Sequence, residues 1–290
     1  MGLLNTFTLP APAKINLFLG ITGRRPDGYH NLQTLFQLLD LSDTLTFRLN
    51  SESSDISVVC PSLDISQEEN IAYKAACLIQ LQSKSKLGVQ LHIEKTIPDG
   101  GGLGGGSSNA ATTLLGLNKL WRCGLTKPEL MEMGRSLGAD VPVFIAGETA
   151  WGEGVGELIS PVALPSQRYI IVNPGCQVST KKIFSHPELT RDSSNRTIAR
   201  FLEQGPPYAD GTNDCESVVC SLFPEVFEAL GWLSQWGAAK MTGTGSCIFL
   251  ATPTQEISQE ILSQVRPEWQ AFETTGTNES VLVNVLSRLD

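Results

Sequence analysis

An α+β fold is predicted for this 290-residue chain by three observations. Apolar residues alternate along residues 13–21 and along Val89–Ile93, the period of half-buried strands. A glycine-rich loop, Pro98 to Ser108, opens directly into Ala110, Leu114, Leu117 and Trp121 at helical spacing. Strands and helices then mix without strict βαβ order, which favours α+β over a doubly wound sheet.

In chain order, Ile15, Leu17, Leu19 and Ile21 face one way, and Lys14, Asn16 and Phe18 the other. Arg24-Arg25-Pro26-Asp27-Gly28 reads as a turn on its Asp-Gly. Leu32–Leu39 and Thr44–Leu49 read as two further strands, residues 51–70 as polar loop, and Ile71–Leu81 as a helix. Thr126-Lys127-Pro128-Glu129 is a capping box with Pro in the first turn, leading a stripe of Leu130, Met133 and Leu137 to a stop at Gly138. A second half begins near Pro161–Pro165. It holds a strand at Tyr169–Val172, polar and Pro/Gly-punctuated residues 187–213, and a helix at Pro224–Trp236. A second glycine loop at Lys240–Ser246 enters a strand at Cys247–Leu250; a helix marked by Ile257, Ile261 and Val265 follows, then a last strand at Ser280–Leu286.

Composition narrows the function. The apolar share is 41% and the charged share 18%, as in an ordinary globular protein. A net charge of −9 and a pI of about 4.9 argue against nucleic-acid binding, which needs a positive surface. Seven cysteines, an odd number without Cys-x-x-Cys, read as buried free thiols of a reducing cytoplasm, and three histidines lack metal-ligand spacing. No apolar run is long enough for a membrane span, and no signal peptide opens the chain. Residues 1–6 fit the loose myristoylation pattern, which is too short to weigh.

The glycine loop carries the chemistry. Gly100, Gly101, Gly102, Gly104, Gly105 and Gly106 surround Leu103, and Ser107, Ser108 and Asn109 follow. Glycine lets backbone approach a ligand closely, and bare amides at a helix N-terminus attract anions. A phosphate is therefore the expected ligand. No Gly-Lys occurs, which excludes a Walker A loop, and the acidic residue of a dinucleotide fold is missing about 20 positions on.

Pro98-Asp99-Gly100-Gly101-Gly102-Leu103-Gly104-Gly105-Gly106-Ser107-Ser108 resembles the ATP loop of the GHMP kinases. Pro12–Leu17 resembles that family's N-terminal motif, and Lys240–Ser246 its C-terminal glycine loop. Ala13–Leu17, Gly23–His30, Gly138–Phe144 and Glu153–Glu157 narrow the match to a branch whose acceptor is a cytidine diphosphate polyol of the non-mevalonate isoprenoid route. Mevalonate- or homoserine-type kinases and a non-catalytic nucleotide sensor are the rival readings. The resemblance implies a two-domain fold: residues 1–163 resembling ribosomal protein S5 domain 2 and binding ATP, and residues 164–290 ferredoxin-like. ATP and acceptor would meet in the cleft between them.

The same resemblance assigns catalysis to Lys14 and Asp140, and ATP binding to Pro98–Asn109 with Lys95. It assigns acceptor binding to Asn16, Tyr29, His30, Thr180, Phe184, Gly243, Thr244 and Gly245. Asn70 is expected near the nucleotide, and Asn213 and Asp214 have weaker support. Mg²⁺ is expected with ATP, without named ligands; the partners are small molecules, not nucleic acid or membrane. Pattern alone offers plainer roles. Lys14 would be a solvated lysine on a non-core face, and Asp140, before Val-Pro, a helix cap. Tyr29-His30 would be a surface pair, Thr180 and Phe184 a cap and a core residue, and His92 simply exposed.

Overall fold

Two long antiparallel strands, β1 (Thr6–Arg24) and β2 (His30–Asn50), form the spine of the protein. The computed structural model describes residues 6–203, 205 and 211–288; the N-terminal pattern at residues 1–5, and part of the polar stretch 187–213, lie outside them. The Asp-Gly turn joins the strands: Gly28 takes φ +88°, and the Asp27 carboxylate accepts from the Tyr29 amide at 3.1 Å. β2 runs unbroken through residues 40–43, where two strands were expected. The two acids in this stretch are bonded in place: Asp40 accepts from the Thr275 amide, and Asp43 from the amides of Thr96 and Ile97.

Around this spine follow β3 (Ile56–Val59), α1 (Ile71–Ser83), β4 (Gly88–Glu94), α2 (Gly105–Leu120), α3 (Lys127–Leu137), α4 (Val141–Ala146), β5 (Ala150–Gly154) and β6 (Leu158–Pro161). The second half supplies β7 (Arg168–Asn173), α5 (Thr180–Phe184), α6 (Ile198–Leu202), α7 (Glu216–Leu222) and α8 (Pro224–Leu233). It ends with β8 (Lys240–Met241), β9 (Ile248–Thr252), α9 (Gln255–Ser263), β10 (Gln270–Thr277) and α10 (Val281–Leu286). The strands join in the order β3-β4-β2-β10-β7-β9-β8, with β1 and β5 also on β2 and β6 on β5. The Thr126 capping box forms as expected, typically worth about 1 kcal/mol.

Three buried clusters fill the interior, and β1 contributes to each. Leu9 and Ala11 enter the one under α1 and α2; Ala13, Ile15, Leu17 and Phe18 a central one with Trp151 and Phe249; Leu19 and Ile21 one under α7 and α8.

Three expectations are corrected. The last strand is instead the helix α10, capped by Ser280, whose hydroxyl accepts from the Leu282 amide. Six apolar-rich residues fit either period, and the cap decides. The last strand of the chain is β10, which joins β2 to β7 and whose threonines carried no apolar alternation; residues 51–70 also contain β3. Of the cysteines, all free among the described residues, only Cys215 and Cys247 are buried, and burial pushes the Cys215 thiol up to about 12.

Candidate active site

The glycine loop lies where β1, α2 and the second half meet. The Lys14 amide donates to Leu103 O at 3.0 Å on one side, and the Cys247 amide to Gly101 O at 3.1 Å on the other. Gly102 takes φ +77°, and a Cβ there would strike the carbonyl oxygen of Thr242, so the two glycine loops touch through bare backbone. Gly104 caps α2 at φ +73°, with no side-chain cap and no acid in the first turn. The first amides of a 16-residue helix are thus left facing a cleft. Unpaired N–H groups and the helix dipole together make that end an anion site.

Lys14 corrects the strand reading: it is 2% exposed, not solvated. The β1–β2 register slips between Pro12 and Lys14 and between Asn16 and Phe18. Such bulges re-aim side chains, here turning Lys14 and Asn16 toward the cleft. Lys14 Nζ donates to Asn16 Oδ1 at 2.7 Å and to Gly102 O at 2.9 Å, and lies 3.2 Å from Asp140 Oδ2. Behind it, Asn16 Nδ2 donates to Thr34 Oγ1 at 2.7 Å, and that hydroxyl to Phe18 O at 2.6 Å. The Asn16 amide donates to Thr242 Oγ1 at 2.9 Å. Asp140 stands at the N-cap of α4 but makes no cap hydrogen bond; its side chain is 33% exposed toward the cleft. The capping role is therefore absent.

The cleft encloses about 950 Å³. At its far end, Tyr29 is 64% exposed, and His30, opening β2, is 6% exposed and packs its ring against Phe184 at 5.2 Å. Burial first, then the charges of Arg191 and Arg24, hold His30 below the usual histidine range. Ser179, not Thr180, caps α5; Thr180 Oγ1 instead meets Thr244 Oγ1 at 2.9 Å.

Lys14, Asn16, Tyr29, His30, Pro98, Asp99, Ser107, Asp140, Thr180, Phe184 and Thr244 line one cleft, with the glycines of both loops. Leu103 and Ser108 are buried in the interior. Lys95 and Asn109 sit behind the loop, both bonded to the fully buried Asp43; a Cβ on Gly105 would come within 2.9 Å of Lys95 Nζ. Asn70 caps α1. Asn213 Nδ2 braces the second glycine loop through Met241 O and Gly243 O, and Asp214 ties Ile21 to Ser193. His92 is half-exposed. Sequence reading missed Thr34, Asp43 and Thr242 as supports: Thr34 and Asp43 carry no local signal, and Thr242, though in the second glycine loop, shows its use only through long-range pairing.

This arrangement of two interlocked glycine loops, a buried lysine and a facing carboxylate defines a class. Family models for the GHMP kinases N terminal domain and the GHMP kinases C terminal match residues 70–148 and 194–270. A 4-diphosphocytidyl-2-C-methyl-D-erythritol kinase of Chromohalobacter salexigens is 46% identical over 98% of this chain and 95% of its own. One of Nitrosococcus oceani is 48% identical over 96% of this chain and 98% of its own. The crystal structure of a 4-(cytidine 5'-diphospho)-2C-methyl-D-erythritol kinase, 33% identical, superposes with a TM-score of 0.80 over 93% of this chain and 100% of that one. A mevalonate kinase, 15% identical at a TM-score of 0.68, shares the fold. The chain belongs to the 4-diphosphocytidyl-2-C-methyl-D-erythritol kinase family of ATP-using GHMP kinases, with their two-domain fold.

Proposed function

We propose that the protein transfers the γ-phosphoryl group of ATP to the 2-hydroxyl of 4-diphosphocytidyl-2-C-methyl-D-erythritol, in the non-mevalonate route to isoprenoids. The observation that carries this is the Lys14–Asp140 pair, 3.2 Å apart beside the phosphate loop. Phosphoryl transfer asks for positioning and charge balance more than covalent work. Asp140 accepts a hydrogen bond from the acceptor hydroxyl and takes its proton late. A carboxylate is far too weak a base to strip an alcohol of its proton before attack, so the transfer comes late. Lys14 pairs with the Asp140 carboxylate at 3.2 Å and balances charge on the moving phosphoryl.

Amides of Gly100–Ser107 cradle the ATP phosphates, with Lys95 and Asn109 supporting the loop from behind. Mg²⁺, when bound with ATP, would balance charge on its phosphates. Among the described residues no group of three or more His, Cys, Asp or Glu could hold a resident ion, and Ser107 and Asp140 supply oxygen donors beside the loop. Tyr29, His30 and Phe184 receive the cytosine, and Asn16, Thr180 and Gly243–Gly245 the remainder of the acceptor. The division into an ATP-binding residues 1–163 and a second domain, 164–290, is supported by the change of sheet partners after β6. Free thiols fit a reducing cytoplasm. No helix of the described residues is long and apolar enough to cross a membrane.

A coupled ADP-release assay tests the reading, with the cytidine acceptor against mevalonate, galactose and homoserine. The expected result is turnover with the cytidine acceptor alone; preference for another acceptor overturns it.

A further inference from the structure

Arg191, in the segment after α5, belongs to none of the sequence motifs, yet every donor of its guanidinium is used. Its Nη1 donates to Leu189 O at 2.9 Å and Pro187 O at 3.4 Å, and its Nη2 to His186 O at 2.7 Å and Phe184 O at 3.1 Å. The remaining donor, Nε, reaches His30 Nε2 at 3.1 Å. Arginine has five N–H groups in a fixed fork, accepts nothing and keeps its proton. Nε2 of His30 must therefore present its lone pair. The neutral ring then carries its proton on Nδ1.

We infer that Arg191 is a positioning residue for acceptor recognition: it locks His30 into the Nδ1–H tautomer and orients its ring beside Phe184. This rests on the reading that the His30 end of the cleft receives cytosine. A base edge with ring nitrogen and carbonyl acceptors suits a ring fixed as a donor. The four carbonyl bonds explain why the fork cannot swing away: it folds residues 184–189 around itself, so the second half of the chain sets the protonation of a residue in the first. A doubly protonated imidazole would press an N–H against the guanidinium. Arg24, the strand partner of His30, adds a second cation, while Lys181 of α5 lines the same cleft. Asp27, the acid in the adjoining turn, is engaged by Arg25 at 3.0 Å.

The test begins with the unmodified protein. The chain has three histidines, so ¹⁵N imidazole spectra resolve easily. Between pH 6 and 8, His30 should show a protonated Nδ1 and an unprotonated Nε2; the reverse tautomer overturns the proposal, and needs no variant. For Arg191→Met, the KM for the cytidine acceptor should rise about three- to ten-fold, the loss of one oriented hydrogen bond. That rise should steepen as pH falls below about 6.5, where a released histidine protonates. The KM for ATP and the kcat at saturation should hold. Arg191→Lys keeps the charge but not the fork, and should raise the acceptor KM with a flatter pH profile. An unchanged acceptor KM in Arg191→Met at every pH, or an equal rise for ATP, overturns the proposal. An unchanged acceptor KM in His30→Ala would instead sink the reading of the cytosine end, leaving the tautomer spectrum as it was.

Discussion

At the end of the cleft proposed for the ATP phosphates, the groups on offer are backbone amides and a lysine 2% exposed, held by Asn16, Gly102 and Asp140; at the end proposed for cytosine they are side chains, with Tyr29 64% exposed. One end is assembled from groups common to any sequence that can make the turn, and depends on close approach. The other depends on which side chain stands where. Group transfer needs the first kind of construction, because misplacing a reacting atom is costly. Choosing an acceptor needs the second.

Four expected outcomes probe that contrast, from the largest effect to the smallest. Asp140→Asn should lower kcat by about 10²–10⁴, some 3–5 kcal/mol of barrier. No capping loss should accompany it, since the carboxylate makes no cap bond, so any fall in Tm reports the buried Lys14 left without its carboxylate. Steady-state kinetics with thermal melting checks this, and near-normal turnover would move the base elsewhere. Tyr29→Ala should raise the KM for the cytidine acceptor alone, by about 5- to 150-fold for a stacking contact of ~1–3 kcal/mol. Equal weakening for ATP would make the turn only structural. Gly106→Ala separates binding from folding: a Cβ there meets nothing closer than Ile71 Cγ2 at 3.6 Å. Alanine should add up to about 1 kcal/mol of stability to the helix while raising the KM for ATP several-fold. A variant both more stable and normal for ATP would remove the first-turn amides from phosphate binding. Last, His30 titrates lower folded than unfolded. As pH falls through about 6.5 the unfolded chain binds the proton first, so stability is whole above that pH and declines below it. Urea melts from pH 8 to 5 should show that decline, and His30→Gln should flatten it.

The phosphate end was the legible one. Six glycines around Leu103, running into an apolar helix, announce an anion site from composition and period alone. The capping box and most elements were readable for the same local reasons. What escaped was set at long range. From pattern alone Lys14 is a solvated lysine, because alternation cannot show the bulges that turn it inward; only the family resemblance marked it as catalytic. Pattern alone likewise makes Asp140 a cap, since Asp before Val-Pro usually is one, and the resemblance alone pointed to catalysis. Gly104→Val, the obvious probe from sequence, is not a clean one: the added Cβ would fall 2.8 Å from Phe144 and 3.1 Å from Lys14 Cε, disturbing the lysine along with the phosphate. Thr34 and Arg191 act through partners distant along the chain with no signal in the windows around them, and Thr242, though inside the second glycine loop, shows its use only through its contact with Asn16.

The spine strand β1, which enters all three buried clusters, has a bearing on cooperativity. Neither half of the chain owns its interior. Residues 164–290 without β1 would leave the cluster under α7 and α8 missing Leu19 and Ile21, and the Asp214 carboxylate without the Ile21 amide that donates to it. The two domains are thus expected to melt together. Scanning calorimetry should give a single transition whose calorimetric and van't Hoff enthalpies agree, and a protease cutting between residues 161 and 167 should release no half that stays folded.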